Sequence, residues 1–238
     1  MKKLEGNFRC RVIIQTIIRY SKAVAKGPIQ EKNMQLNDEE EKKEKKEEKE
    51  EKEEKKEQDP ATNEKLLKTR QILLSGEINK ESAEGIIKQL LVMEADDPDK
   101  EITMFINSPG GDVDAGYAIY DMVRFISCPV TMIGAGLVAS AASLIFLAVP
   151  KEKRIGLPNS TYLIHQPMSG MKGVASDIEI YSRQIEKLRV KLDAVIAEAT
   201  GKSLEEVSGD TERDHWLFSE DAKNYGLIDR IVSSRSDI

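Results

Sequence analysis

Cysteine, histidine and tryptophan are all scarce: the 238 residues include two cysteines, two histidines and one tryptophan. Cys10 and Cys128 are too few for a disulfide framework, and their spacing matches no metal site. With so little thiolate and imidazole, zinc and haem chemistry are not expected, and the thiol usage points to a reducing intracellular compartment, read here as cytoplasmic. A clustered basic face is missing too. The net charge of −6 divides into +6 over residues 1–35, −4 over 38–57 and −8 over 58–238, so the part able to fold is acidic and has no nucleic-acid footprint. Long apolar runs are nearly absent. Only Pro129 to Pro150 is free of charge over the length of a span, and Gly134, Gly136, Ser140 and Ser143 dilute it. It reads as a buried strand, a glycine turn and a buried helix, not as a membrane segment.

What is present falls into two parts, an extension over residues 1–58 and a folding domain over 59–238. The run from Asp38 to Glu57 contains no apolar side chain, so it has nothing with which to offset the entropy of ordering and reads as a disordered spacer. The basic segment 1–35 reads as a disordered or partly helical extension. The alternative is a targeting peptide, which would place the mature protein in an organelle matrix. From about Lys65, strands alternate with helices, the signature of an α/β domain. Ile72 to Leu74 reads as a strand stopped at Ser75-Gly76, followed by a helix with Ile86, Ile87, Leu90 and Leu91 on one side. Ile102 to Ile106 and Val130 to Ile133 are further strands, with a helix from Asp112 between them. The stretch 174–200 is one long helix whose stripe of Ile178, Tyr181, Ile185, Leu188, Leu192 and Val195 suits packing on its own sheet or against another subunit.

A neutral-pH general base is most often histidine. His165 follows the strand Thr161 to Ile164, where sites on α/β scaffolds collect, whereas His215 sits in a charged stretch and reads as a solvated surface residue. Ser140, among small residues where a strand turns into a helix, is a candidate nucleophile; the competing reading is that small residues merely permit tight helix packing. Asn107-Ser108-Pro109-Gly110-Gly111 reads as a turn whose backbone N–H groups are free to face an oxyanion, or as a plain tight turn. It lacks the lysine and spacing of a phosphate loop.

Taken together, residues 65–235 closely resemble the proteolytic-subunit family of the Clp protease, serine peptidases of the ClpP/crotonase fold. The resemblance rests on Asn-Ser-Pro-Gly-Gly at 107–111, Ala-Gly-Tyr-Ala-Ile-Tyr-Asp at 115–121 and Leu-Pro-Asn-Ser at 157–160 leading to Ile-His-Gln-Pro at 164–167. It continues through Asp-Thr-Glu-Arg-Asp at 210–214 and Ala-Lys-Asn-Tyr-Gly-Leu-Ile-Asp at 222–229. It implies repeated strand-helix units with a projecting handle helix at 174–200. It also implies a triad of Ser140, His165 and Asp214, and oxyanion N–H groups from Gly111 and Ala141. Glu212 and Arg213 fall where the family has an acid-Arg pair bridging two stacked heptameric rings. The activity implied is endoproteolysis of unfolded polypeptides inside that barrel, without a cofactor of its own, ATP being consumed by a partner AAA+ unfoldase of the Clp type. Two departures stand out. Ala141-Ala142 replaces the family's usual Met-Gly, and no segment matches its short axial loop. The rival readings are a crotonase-type acyl-CoA enzyme and a weakly active ring subunit that assembles with a paralogue.

Overall fold

Parallel strands require crossover connections, and the chain provides them as helices in sequence order. The computed structural model describes residues 60–238. The targeting and spacer readings for residues 1–58, and Cys10, lie outside the described residues. Helix α1 (Pro60–Lys68) leads into β1 (Gln71–Ile78), α2 (Lys80–Asp96), β2 (Ile102–Gly111), α3 (Val113–Phe125), β3 (Val130–Ala139) and the short α4 (Ala141–Phe146). There follow β4 (Arg154–Gly156), β5 (Thr161–Ile164), the long α5 (Ala175–Thr200), α6 (Leu204–Asp210), β6 (His215–Phe218), α7 (Ser219–Tyr225) and β7 (Arg230–Ile231).

The sheet has the parallel order β1-β2-β3-β4-β7, and β3 serves two neighbours along its length. Its first half pairs with β4 at Met132–Gly134. Its second half pairs in parallel with β5, Ala139 opposite Leu163, and β6 runs antiparallel to β5 with His215 opposite Ile164. The main core lies between the sheet and its helices, where Ile72, Ile102, Met104, Ile106 and Met132 are wholly buried, each aliphatic side chain contributing about 1.5–3 kcal/mol. A smaller apolar cluster of Ile133, Ile155 and Val232 occupies the other face.

Three sequence expectations change. Strand β1 does not stop at Ser75-Gly76: it continues to Ile78 through an irregularity at Gly76, whose φ of +83° breaks the register with β2 without ending the strand. Strand β2 likewise runs through Asn107-Ser108-Pro109-Gly110-Gly111, so the expected turn is the end of a strand paired with Glu77 and Ile78. On α2 the buried positions are Ala83, Ile86, Leu90 and Met93, whereas Leu91 is 44% exposed, because the 3.6-residue repeat carries the buried face on to Met93. Pro129 to Pro150 comprises β3, α4 and their flanks, largely buried, and among the described residues no helix is long and apolar enough to cross a membrane.

Helix ends follow local chemistry. Asn79 and Ser82 form a reciprocal cap on α2, and the Asp112 carboxylate accepts from Ala115 N–H at 2.7 Å to start α3 directly after Gly111. Gly201, at φ +76°, ends α5 in the left-handed conformation that glycine adopts most readily.

Candidate active site

Strand register brings the candidate residues together. Because Ala139 of β3 lies opposite Leu163 of β5, the residues that follow, Ser140 and His165, emerge side by side at the strand ends. Because His215 of β6 pairs with Ile164, Asp214 arrives beside His165 from the opposite direction.

Ser140 adopts φ 57°, ψ −122°, a conformation that L residues rarely hold and that costs roughly 1–3 kcal/mol. Its surroundings over-determine it. Its N–H donates to Leu163 O at 2.9 Å, and its carbonyl accepts from Ser143 N–H at 2.9 Å. Ser143 Oγ, buried beneath, lies 2.9 Å from Val138 O and 2.8 Å from Leu163 O, so its one proton ties β3 to β5 under the corner. Gly110 backs onto the same corner: a Cβ there would stand 2.6 Å from Ala139 O and 2.7 Å from Ser140 Cβ. The small residues Ala139, Ala141 and Ala142 are buried around it. They pack tightly around the corner, while Ser140 itself stays half-buried.

His165 Nε2 lies 2.8 Å from Ser140 Oγ, and Nδ1 lies 2.9 Å from Asp214 Oδ1. A carboxylate only accepts, so Nδ1 carries the proton and Nε2 is left to accept from the serine hydroxyl. The imidazole side chain is 10% exposed and the Asp214 carboxylate 57%. The loops bearing them are stitched together: Gln166 N–H donates to Thr211 O at 2.7 Å and Gln166 Nε2 to Glu212 O at 2.6 Å.

Gly111, at φ +147°, ends β2 one residue beyond Gly110, and Ala141 opens α4. The first N–H groups of a helix have no partner within it, so Ala141 N–H is available at the Ser140 corner. Beside Ser140 an enclosed cavity of about 20 Å³ is walled by Val113, Leu144, Pro167, Leu192 and Ile196. A wider groove of about 500 Å³ runs between Gly111–Asp114 and the segment Pro167–Ser169, with α5 as its floor. Glu212 and Arg213 are exposed between α6 and β6. His215 stands apart from the site and, contrary to expectation, is not fully solvated: it is half-buried, its ring 5.5 Å from that of Tyr225. The sequence reading passed over two polar residues that brace the site. Ser143 counted only as one of several small residues, and Asp193 drew no reading at all, since a lone acid on a long helix carries no signal of burial.

A serine hydroxyl bonded to an imidazole, itself bonded to a carboxylate, with a free backbone N–H at the same corner, is the arrangement of a serine hydrolase on an α/β scaffold. Sequence and structure comparison narrow that class. The Clp protease family profile matches residues 53–235. The ATP-dependent Clp protease proteolytic subunit 2 of Treponema denticola is 57% identical over 180 residues, covering 76% of this chain and 90% of the relative. Proteolytic subunit 3 of Rhizobium etli is 49% identical over 177 residues, covering 74% and 91%. Among solved structures, a ClpP1 mutant from Listeria monocytogenes superposes with a TM-score of 0.69 at 46% identity, covering 74% of this chain and 98% of that one. The chain belongs to the Clp protease family, as a proteolytic subunit and serine peptidase of the ClpP/crotonase-like fold. That membership sets aside the acyl-CoA alternative.

Proposed function

We propose that Ser140, His165 and Asp214 are the catalytic set of an endopeptidase that cleaves unfolded polypeptides. The observation that carries this reading is the unbroken hydrogen-bond chain from Ser140 Oγ through the imidazole to Asp214. As Oγ attacks the scissile carbonyl, His165 Nε2 takes its proton, while Asp214 holds Nδ1 protonated and stabilises the imidazolium. The N–H groups of Gly111 and Ala141 receive the oxyanion. Return of the proton to the leaving amine yields an acyl-enzyme, which water then clears by the same steps in reverse order. Every group in this scheme belongs to the chain, so the reading calls for no metal or organic cofactor.

Assembly follows from what the protomer leaves uncovered. Met168 is 81% exposed, Val174 66% and Ile180 66%, all on or just before the first turns of α5. So much apolar surface on one projecting element favours contact with other subunits. Two stacked heptameric rings, of this chain alone or mixed with a paralogue, would cover it, with Glu212 and Arg213 at the contact. A Clp-type AAA+ unfoldase would hydrolyse ATP and deliver unfolded chains. A cytoplasmic location accords with the bacterial relatives.

A fluorophosphonate probe and a short fluorogenic peptide test the reading on the purified full chain. Labelling at Ser140, with peptide turnover that disappears in Ser140→Ala, is expected. Absence of labelling, or turnover that survives Ser140→Ala, overturns it. Labelling without turnover until a second subunit is added identifies a mixed ring.

A further inference from the structure

One buried carboxylate takes no part in the chemistry above. Asp193, on α5, is 2% exposed. Thr211 Oγ1 donates to its Oδ1 at 2.7 Å, and Thr211 is itself completely buried. Arg189, one helical turn earlier, brings Nε to 3.9 Å from the other oxygen, while its Nη2 reaches Ser208 O at 3.3 Å. A buried carboxylate is costly unless its oxygens are paired, and one that is paired and enclosed is a rigid anchor.

What it anchors is the joint between the two halves of the site. The carbonyl of Thr211 accepts from the N–H of Gln166, the residue after His165, and Asp214 lies three residues beyond Thr211. Asp214 has little packing of its own, its side chain being 57% exposed, so its place is set on one side by His215, paired with Ile164, and on the other by the backbone that precedes it. That backbone is held by Thr211, and the side chain of Thr211 is held by Asp193.

We propose that Asp193 is a positioning residue for the reaction: through Thr211 it sets Asp214 against His165, and it makes that geometry depend on where α5 lies. The inference rests on the reading of Ser140, His165 and Asp214 as the catalytic set. Because α5 also carries the exposed apolar positions proposed to meet other subunits, contact at one part of the helix reaches the acid through one hydrogen bond.

The test measures kcat and KM separately for a short peptide, with the assembly state followed by sedimentation. Asp193→Ala and Thr211→Val, which removes the hydroxyl at nearly constant volume, should each lower kcat by about 10- to 100-fold, the scale of a misplacement near 1 Å, and leave KM within about twofold. Asp193→Asn keeps an acceptor towards Thr211 and should recover most of the loss. In an Asp214→Ala background, Asp193→Ala should cost nearly nothing more, because the residue it positions has gone. Wild-type kcat in assembled Asp193→Ala or Thr211→Val overturns the proposal. So does a loss that appears in full in the Asp214→Ala background, or a rise in KM at constant kcat. Should Asp193→Ala fail to assemble, Thr211→Val decides. Near-native turnover in Asp214→Ala would instead overturn the catalytic set itself, a result distinct from any of these.

Discussion

Ser140 holds a conformation that only its neighbours make tenable, and the strain serves exposure. A positive φ at the end of β3 lifts the hydroxyl off the strand towards Nε2 of His165, and the bonds to Leu163 and Ser143 keep it there. Gly110 is part of the same device, since any side chain at φ +94° would collide with Ala139 O and Ser140 Cβ. Gly110→Ala should therefore lower kcat by on the order of 100-fold and also weaken the fold by about 1–3 kcal/mol, read from peptide turnover and the urea midpoint. Ser140→Ala and His165→Ala should each cost about 10³–10⁶ in kcat, with the double variant little worse than either, because the set acts as a unit. Full additivity in that cycle would show that the two side chains do not act on one step.

At the scale of elements, α5 is two helices in one. Leu188, Leu192 and Val195 pack against the main core of their own domain, whereas Ile178 is 45% and Ile180 66% exposed. The stripe legible in the sequence therefore packs at home in its C-terminal half and is uncovered near its start. Leu192→Glu should destabilise the protomer, since it forces a charge against the core. Ile180→Glu should leave the protomer's thermal unfolding unchanged while sedimentation shows loss of the large particle. Elsewhere, Glu101 on the turn before β2 illustrates a pH effect. The Lys153 ammonium, and secondarily the Thr131 hydroxyl, hold its carboxyl below the usual 4.5, against the opposing effect of partial burial. A carboxylate with a lowered folded pKa contributes stability above 4.5 and loses it as pH falls through the folded value. Glu101→Gln should therefore be less stable than the parent above that pH and converge with it in more acid solution, as measured by denaturant midpoints across the range.

At the scale of the molecule, the sheet brings Ser140, His165 and Asp214 together and the helices pack around it. Among the described residues, 60–238, lie a buried core, capped helices and the whole candidate set. Removing residues 1–58 should leave folding and short-peptide turnover close to those of the full chain, and change the degradation of whole proteins delivered by an unfoldase. Loss of short-peptide turnover in the truncated, assembled chain would place part of the enzyme before residue 59.

The sequence by itself determined the alternation of strands and helices, because periodicity, capping residues and breakers are local signals: Asp112 before α3, Ser203 before α6 and Gly201 after α5 act on neighbours within one turn. Its motifs also marked Ser140, His165 and Asp214 as candidates. Only the tertiary structure decided that Asn107–Gly111 is the end of a strand, since Ser75, Glu77 and Ile78 of a strand far earlier in the chain pair with a backbone whose glycines, read alone, suggest a turn. Only it set the 2.8 and 2.9 Å contacts of His165, which depend on the pairing of β5 with both β3 and β6. The burial of Asp193 belongs to the same category. A carboxylate on a helix is solvated by default, and what removes it from water is the hydroxyl of Thr211 arriving from 18 residues further along the chain. Local chemistry writes the elements into the sequence; contacts between elements distant in the chain set the register and the burial on which the site depends.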